Sequence, residues 1–224
     1  MTLIVSSANY VSAGGGGPFA IAYASSNLNT ASAASYTVTA QGIGTADSTR
    51  IVVVGVVSRP GSPTTLVSGI TIGGVSASLC TGTQLITSSG IGPAMYYLAV
   101  PSGTTADIVV SFSGTAPLRA SIQVFSVTNS VGGFSSGTIA PATSATCISC
   151  TLTVPSGGGA IVVGGINANT TASGSANLVN DVTADFGTSH YYGGHDATNS
   201  GSQTYTINFG ASNSVDMCAA SFSP

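Results

Sequence analysis

The sequence predicts an all-β chain: a single two-sheet antiparallel β-sandwich of jelly-roll type over residues 35–224, behind an extended N-terminal leader over residues 1–34. Three observations carry that expectation. The apolar residues are Val, Ile, Ala, Tyr and Phe mixed with many Thr, which (Ala apart) suit the pleated, half-buried surface of a strand. Lys and Glu, the residues that populate helix surfaces, are absent altogether. Thirty Gly and nine Pro interrupt the chain every few residues, as many short strands joined by turns require, and no amphipathic pattern outlasts two helical turns.

Taken in order, the leader is weakly patterned and is broken by Gly14-Gly15-Gly16-Gly17-Pro18, which reads as the hinge of an extended arm or as a loop between two edge strands. Strand signals become dense from Ala34. Tyr36–Thr39 alternates, and Arg50–Val57 is a continuous apolar run of the kind that is buried on both faces, ended by Pro60 and Pro63. Ile70-Thr71-Ile72 and Val75–Leu79 alternate on either side of Gly73-Gly74, which predicts a hairpin with a two-residue turn. Met95–Val100, Asp107–Phe112 and Ala120–Val127 follow as strands, then Cys150–Val154, Ala160–Ile166, Ser189–Tyr192, Thr204–Phe209 and Val215–Phe222. The expected core is Ile51, Val53, Ile70, Ile72, Val109, Phe112, Ile122, Val124, Ile161, Val163, Ile207 and Phe209. A faint echo links Leu98–Gly103 leading to Ile108-Val109-Val110 with Leu152–Gly157 leading to Ile161-Val162-Val163. It reads as a duplication, or as one Pro-Ser-Gly turn used twice for the same local problem. Even strand spacing without a linker favours one domain.

Charge is the most unusual property of the chain. Six Asp and three Arg are its whole complement, 4% of residues where a soluble domain carries about 25%, and mean hydropathy is +0.46. A surface of Ser, Thr, Asn and Gly has little side-chain entropy to lose and little charge to desolvate on contact, so it suits a subunit embedded in an assembly. The longest apolar runs are strand length, short of the ~20 residues of a spanning helix, so no membrane is expected. Met1–Val5 has no basic region and no long apolar core, so no export signal is expected either. A net charge of −3 with three scattered Arg argues against nucleic acid as a partner.

No catalytic motif stands out. The glycine runs lack the context of a phosphate cradle, no Gly-x-Ser-x-Gly elbow is present, and there is no Glu to act as acid or base. His190-Tyr191-Tyr192-Gly193-Gly194-His195-Asp196, with Asp181 and Asp185 upstream, places both imidazoles around a possible turn at Gly193-Gly194. That segment reads as a divalent-metal site, as a packed strand end, or as a contact surface, since Tyr is favoured at interfaces. The expected contact residues are His190, Tyr191, Tyr192 and His195, with no cofactor and no metal. Cys147-Ile148-Ser149-Cys150 has redox or zinc spacing but lies at a strand start. Together with Cys80 and Cys218 these residues are expected as late-forming disulfides or buried thiols.

Asp47–Val56, Val67–Ala77, Tyr96–Thr105 and Asp107–Ser113 resemble a group of β-rich proteins encoded in tailed-phage and prophage genomes, especially those of alphaproteobacteria. The shared features are strands, a hairpin and turns over a third to a half of the chain, and they carry over no catalytic residue. The resemblance implies a virion β-sandwich of the head, tail or fibre type. The expectation is therefore a non-enzymatic virion protein, a capsid decoration or head-fibre component. It would form a symmetric homo-oligomer, a trimer, and contact other virion proteins such as the major capsid or tail proteins. Two alternatives stand beside it: a tail-fibre or baseplate adhesin binding a host glycan, and a secreted carbohydrate-binding or carbohydrate-active β-sandwich. The absence of Trp weakens both glycan readings, and an enzyme of that class would have only Asp pairs such as Asp181 and Asp185 to use.

Overall fold

A computed structural model describes residues 17–60, 65–84 and 90–224. The described residues are all-β, with strands β1 (Ala20–Asn29), β2 (Ser35–Gly42), β3 (Ile51–Arg59), β4 (Leu66–Ile72), β5 (Val75–Ser76), β6 (Ser78–Leu79), β7 (Gly92–Ala99), β8 (Thr105–Ser113) and β9 (Arg119–Thr128) in the first half. The second half holds β10 (Gly133–Val154), β11 (Gly159–Ile166), β12 (Ala172–Gly174), β13 (Val179–Asp185), β14 (His190–Asp196) and β15 (Gly201–Ser223). Gly73 and Gly74 have φ of 58° and 81°, a conformation open to glycine, and so close the expected two-residue hairpin between β4 and β5.

The strands form three antiparallel sheets where two were expected: β1-β9-β3-β7-β6, β2-β8-β4-β5, and β10-β15-β11-β14-β13 with β12 against β15. The first sheet lies between the other two. Val52, Val54, Val56, Ile122 and Val124 pack on Tyr36, Ile70, Ile108 and Val110 of the second sheet. The alternate residues Val53, Val57, Met95, Phe125 and Val127 pack on Ile161, Val163, Tyr191, Ala220 and Phe222 of the third. Burial on both faces is why β3 is apolar without alternation up to Val57, and why even the polar Ser121 and Gln123 of β9 are buried. Of the expected core only Val109 is misplaced: it is half-buried on the outer face of β8, while its neighbours Ile108 and Val110 point inward.

The third sheet folds over itself. β10 and β15 pair antiparallel along their length, and the register breaks between Ala142 and Cys147, around Ser144 with φ 57°. Beyond the break, Ile148, Cys150, Leu152, Tyr205, Ile207 and Phe209 cover Val162, Ile166, Tyr192 and Met217. Ile207 reaches so far over β11 that a Cβ on Gly164 would lie 2.7 Å from its Cδ1.

This folding makes the two halves of the chain equivalent in strand pairing. In the first half β1 pairs β9, β9 pairs β3, β3 pairs β7, β7 pairs β6, β2 pairs β8 and β8 pairs β4. In the second, residues 133–142 of β10 pair 215–223 of β15, which pair β11; β11 pairs β14, and β14 pairs β13. Residues 147–154 of β10 pair 201–208 of β15, which pair β12. The registers follow. Ala20 faces Thr128 where Gly133 faces Ser223, and one residue on Val127 faces Ile51 where Phe222 faces Gly159. Four residues further along β3 and β11, Gly55 and Val163 are therefore equivalent, and they touch: a Cβ on Gly55 would lie 2.7 Å from Val163 Cγ1. Equivalent positions meet in this way near a two-fold axis.

The sequence echo does not mark this repeat. It aligns β7 and β8 with β10 and β11, whereas β3 is the structural equivalent of β11. Its Pro-Ser-Gly turns share another task. Each carries the chain across a core between facing layers, with Gly103 and Gly157 both at φ 74°. The leader also differs from expectation in its described part. Ala20–Asn29 is a strand paired along its length with β9, and a bulge between Tyr23 and Ser25 breaks its alternation. Gly14–Gly16 lie outside the described residues.

Candidate functional site

The segment expected to turn at Gly193-Gly194 and present His190, Tyr191, Tyr192 and His195 is instead the inner strand β14, flanked by β11 and β13. The two glycines stand in the strand because there is no room for a side chain. A Cβ on Gly193 would lie 1.9 Å from Gln123 Oε1 of β9, and one on Gly194 2.4 Å from the Tyr192 hydroxyl oxygen. Tyr191 and Tyr192 are fully buried on opposite faces of the sheet, Tyr191 in the layer facing β3 and β9, Tyr192 under the folded-over part of β10 and β15. His190 is buried as well; burial lowers its imidazole pKa, with Asp185 pulling the other way. As contact-surface residues His190, Tyr191 and Tyr192 are corrected to core, while His195 stays part-exposed at the far end of the strand.

The chemistry of β14 lies at its far end. His195 Nδ1 is 2.6 Å from Asp181 Oδ2, an ion pair across the bulge that Asp181 makes in β13. Asp196, 2% exposed, accepts hydrogen bonds from the Thr198 and Asn199 amides, the Asn199 side chain and the Tyr205 hydroxyl at 3.0 Å. Burial alone would raise its pKa, but these donors outweigh it and hold the carboxyl below its ordinary 3.8. A cavity of about 280 Å³ opens here, lined by residues 176–179 and 195–199. Among the described residues no hydroxyl or thiol nucleophile bonds His195, and no group of three His, Cys, Asp or Glu can hold a metal ion. The His195–Asp181 pair holds β13 to β14 and orients an imidazole at the cavity rim.

The cysteines are four free thiols. Three residues apart on one strand, Cys147 and Cys150 point to opposite faces, Cys147 into solvent and Cys150 into the core, where burial pushes its thiol up to about 12. Cys80 and Cys218 are buried too and likewise raised. The Cys-x-x-Cys spacing therefore makes no chelate.

Two features escaped the sequence. Arg50, 1% exposed, donates to the carbonyls of Gly44, Val100, Ser102 and Gly103 at 2.7–2.9 Å and so ties the Pro-Ser-Gly turn to β3. Its one signal is a charge at the head of an apolar run. Tyr97 and Phe134 stack with ring centroids 5.6 Å apart at 27°. They line a cavity of about 330 Å³ that also meets Ser48, Thr49, Ser130 and the exposed Val131. These rings lie 37 positions apart in sequence, on β7 and β10, and only the fold unites them. A comparison with family models and with curated proteins finds no match to this chain.

Proposed function

We propose that this chain is a non-enzymatic structural subunit of a tailed-phage virion, a capsid decoration or head-fibre protein, built from two jelly-roll units in tandem and assembling as a trimer. The observation that carries the reading is the character of its two outer layers. Thr37, Thr39, Ser111 and Ser113 face outward on one side, and Ser149, Thr151, Thr153, Ser202 and Thr204 on the other. Such short, uncharged side chains cost little to desolvate or order when a neighbour packs on them. The strand orders β1-β9-β3-β7 and β2-β8-β4-β5, repeated in residues 133–223, support the jelly-roll reading, an architecture common in viral capsid and lectin domains.

The adhesin reading has one observation in its favour, the Tyr97–Phe134 stack beside hydroxyl-bearing Ser48, Thr49 and Ser130, a combination able to pack on a sugar ring and bond its hydroxyls. Mass spectrometry of purified particles and light scattering of the recombinant chain test the main proposal. The chain should occur in particles at fixed stoichiometry and have the mass of a trimer in solution. A stable monomer missing from particles overturns it, and saturable glycan binding lost in Tyr97→Ala selects the adhesin.

A further inference from the structure

The chain has three cations, and two of them sit side by side. Arg59 ends β3 and Arg119 begins β9, and the two are register partners directly opposite each other. Like charges in that relation repel. Among the described residues no Asp carboxylate pairs with either of them; the one carboxylate contact of this kind found there joins Asp181 to His195. Asp185, the acid nearest in sequence to the loop these arginines touch, accepts the Gly187 amide and faces His190.

Both arginines reach across the seam between the halves, onto the β13–β14 loop. Arg59 Nη1 donates to Thr188 Oγ1 at 2.7 Å. Arg119 Nη1 donates to the Phe186 carbonyl, and its guanidinium carbon lies 5.8 Å from the Phe186 ring centre. That ring packs 4.8 Å from Tyr191, whose phenol is raised by burial. Arg119 Nε is buried and has no hydrogen-bond partner among the described residues, and the Tyr191 hydroxyl and Ser189 Oγ are buried at the same loop. Tyr191 and Ser189 are themselves fully buried. Two guanidinium groups thus reach one loop beside two buried hydroxyls, with Arg119 Nε unpartnered among the described residues and no carboxylate bonded to either arginine. Guanidinium forks match the oxygens of phosphate, sulfate and carboxylate groups.

We propose that Arg59 and Arg119, with the hydroxyls of Ser189 and Tyr191, form a binding site for a small oxyanion, a phosphate, sulfate or carboxylate group, at the seam between the two halves. The bound group neutralises the arginine pair and joins β3 and β9 to the β13–β14 loop, so occupancy tightens the interface between the halves.

The test uses the full chain with inorganic phosphate and with acetate, each titrated at constant ionic strength against sodium chloride, by calorimetry and thermal melt. At least one probe should bind saturably and raise the melting temperature beyond the chloride control. Arg59→Gln should weaken that binding at least tenfold. Among the described residues the Arg59 side chain hydrogen-bonds across the seam to the exposed Thr188 hydroxyl, so this variant should keep the fold even where Arg119→Gln does not. Arg59→Glu supplies the missing carboxylate beside Arg119 and should melt at or above the wild type in chloride alone, with no further gain from phosphate. General salting effects of phosphate would raise all three proteins alike. That result, or the absence of saturable binding to the wild type by either probe, overturns the site.

Discussion

Gly55→Ala is the most direct probe of how the halves meet. The added Cβ lands 2.7 Å from Val163 Cγ1, with Cγ2 at 3.5 Å and Cβ at 3.6 Å, so rotating the branched side chain does not clear it. Overpacking of this kind costs about 1–3 kcal/mol, and replacing a strand glycine by alanine returns about 0.5–1 kcal/mol from the unfolded state. The net expected loss is about 1–2 kcal/mol, a fall in Tm of roughly 2–8 °C for a chain of this size. Val163→Ala alone should cost about 2 kcal/mol by removing two buried methyls. In the double variant the alanine at 55 occupies space that Val163 vacates, so the pair should cost no more than Val163→Ala by itself. That is a favourable coupling of about 1–2 kcal/mol, measured by a double-mutant cycle in urea. Simple additivity of the two single changes would mean that β3 and β11 do not face each other at these positions, and the stacking of the first sheet on the third would be wrong.

Three further outcomes follow from the geometry. Tyr191→Ala and Tyr192→Ala should each cost about 3–5 kcal/mol, so a variant carrying both changes and His195→Ala should fail to fold; a wild-type melt would return these rings to the surface. Asp196 has a depressed folded pKa, so its stabilisation is complete above the unfolded pKa and is lost as pH falls through the folded value. Urea midpoints should therefore drop below about pH 4, and Asp196→Asn should flatten that acid limb, whereas an unchanged limb would place the acid sensitivity elsewhere. Under native conditions one thiol, Cys147, should react with a maleimide, and Cys80, Cys150 and Cys218 only after unfolding. Labelling of two or more thiols in the folded chain would contradict the burial of the other three.

Strand class, and the position of strands with a clear local pattern such as β3 and β4, were legible, whereas β1, β13 and the first part of β10 were not. Ile51–Val57 read as buried on both faces because nothing polar interrupts it, and the hairpin at Gly73-Gly74 read correctly because only glycine accepts both of its φ values at no cost. Gly193-Gly194 carries the same dipeptide and means the opposite. There the glycines make way for Gln123 of β9, 70 residues away, and for the Tyr192 ring folded back along β14, and the first of these contacts is encoded by no local pattern. Val109 was misplaced by one residue for a related reason: Ile108-Val109-Val110 is apolar throughout, and only the pairing of Val110 with Tyr36 and Ile70 decides which faces the core.

The repeat was illegible for a deeper reason. Topology constrains which strands pair, while packing constrains only the volume and polarity at each equivalent position. Met95 of one half corresponds by register to Gly193 of the other, and Gln123 to Cys218. Such pairs share no chemistry, because each half meets the other half and not itself. A symmetric pair of identical chains must use one residue on both sides of its axis, but once both sides lie in a single chain they are free to differ. Gly55 against Val163 is what that freedom produces: a close approach in which one side gives up its side chain and the other fills the gap. A bulky residue on both sides would clash and a glycine on both would leave a void, so the fused seam packs more closely than either symmetric choice. The arginine pair follows the same logic, since Arg59 and Arg119 of the first half have Asn167 and Ser214 at the equivalent corner of the second, where the Asn167 amide donates to the Ser214 carbonyl at 3.0 Å and no charge needs an answer. The proposed anion therefore belongs to one corner of the seam and not to the other.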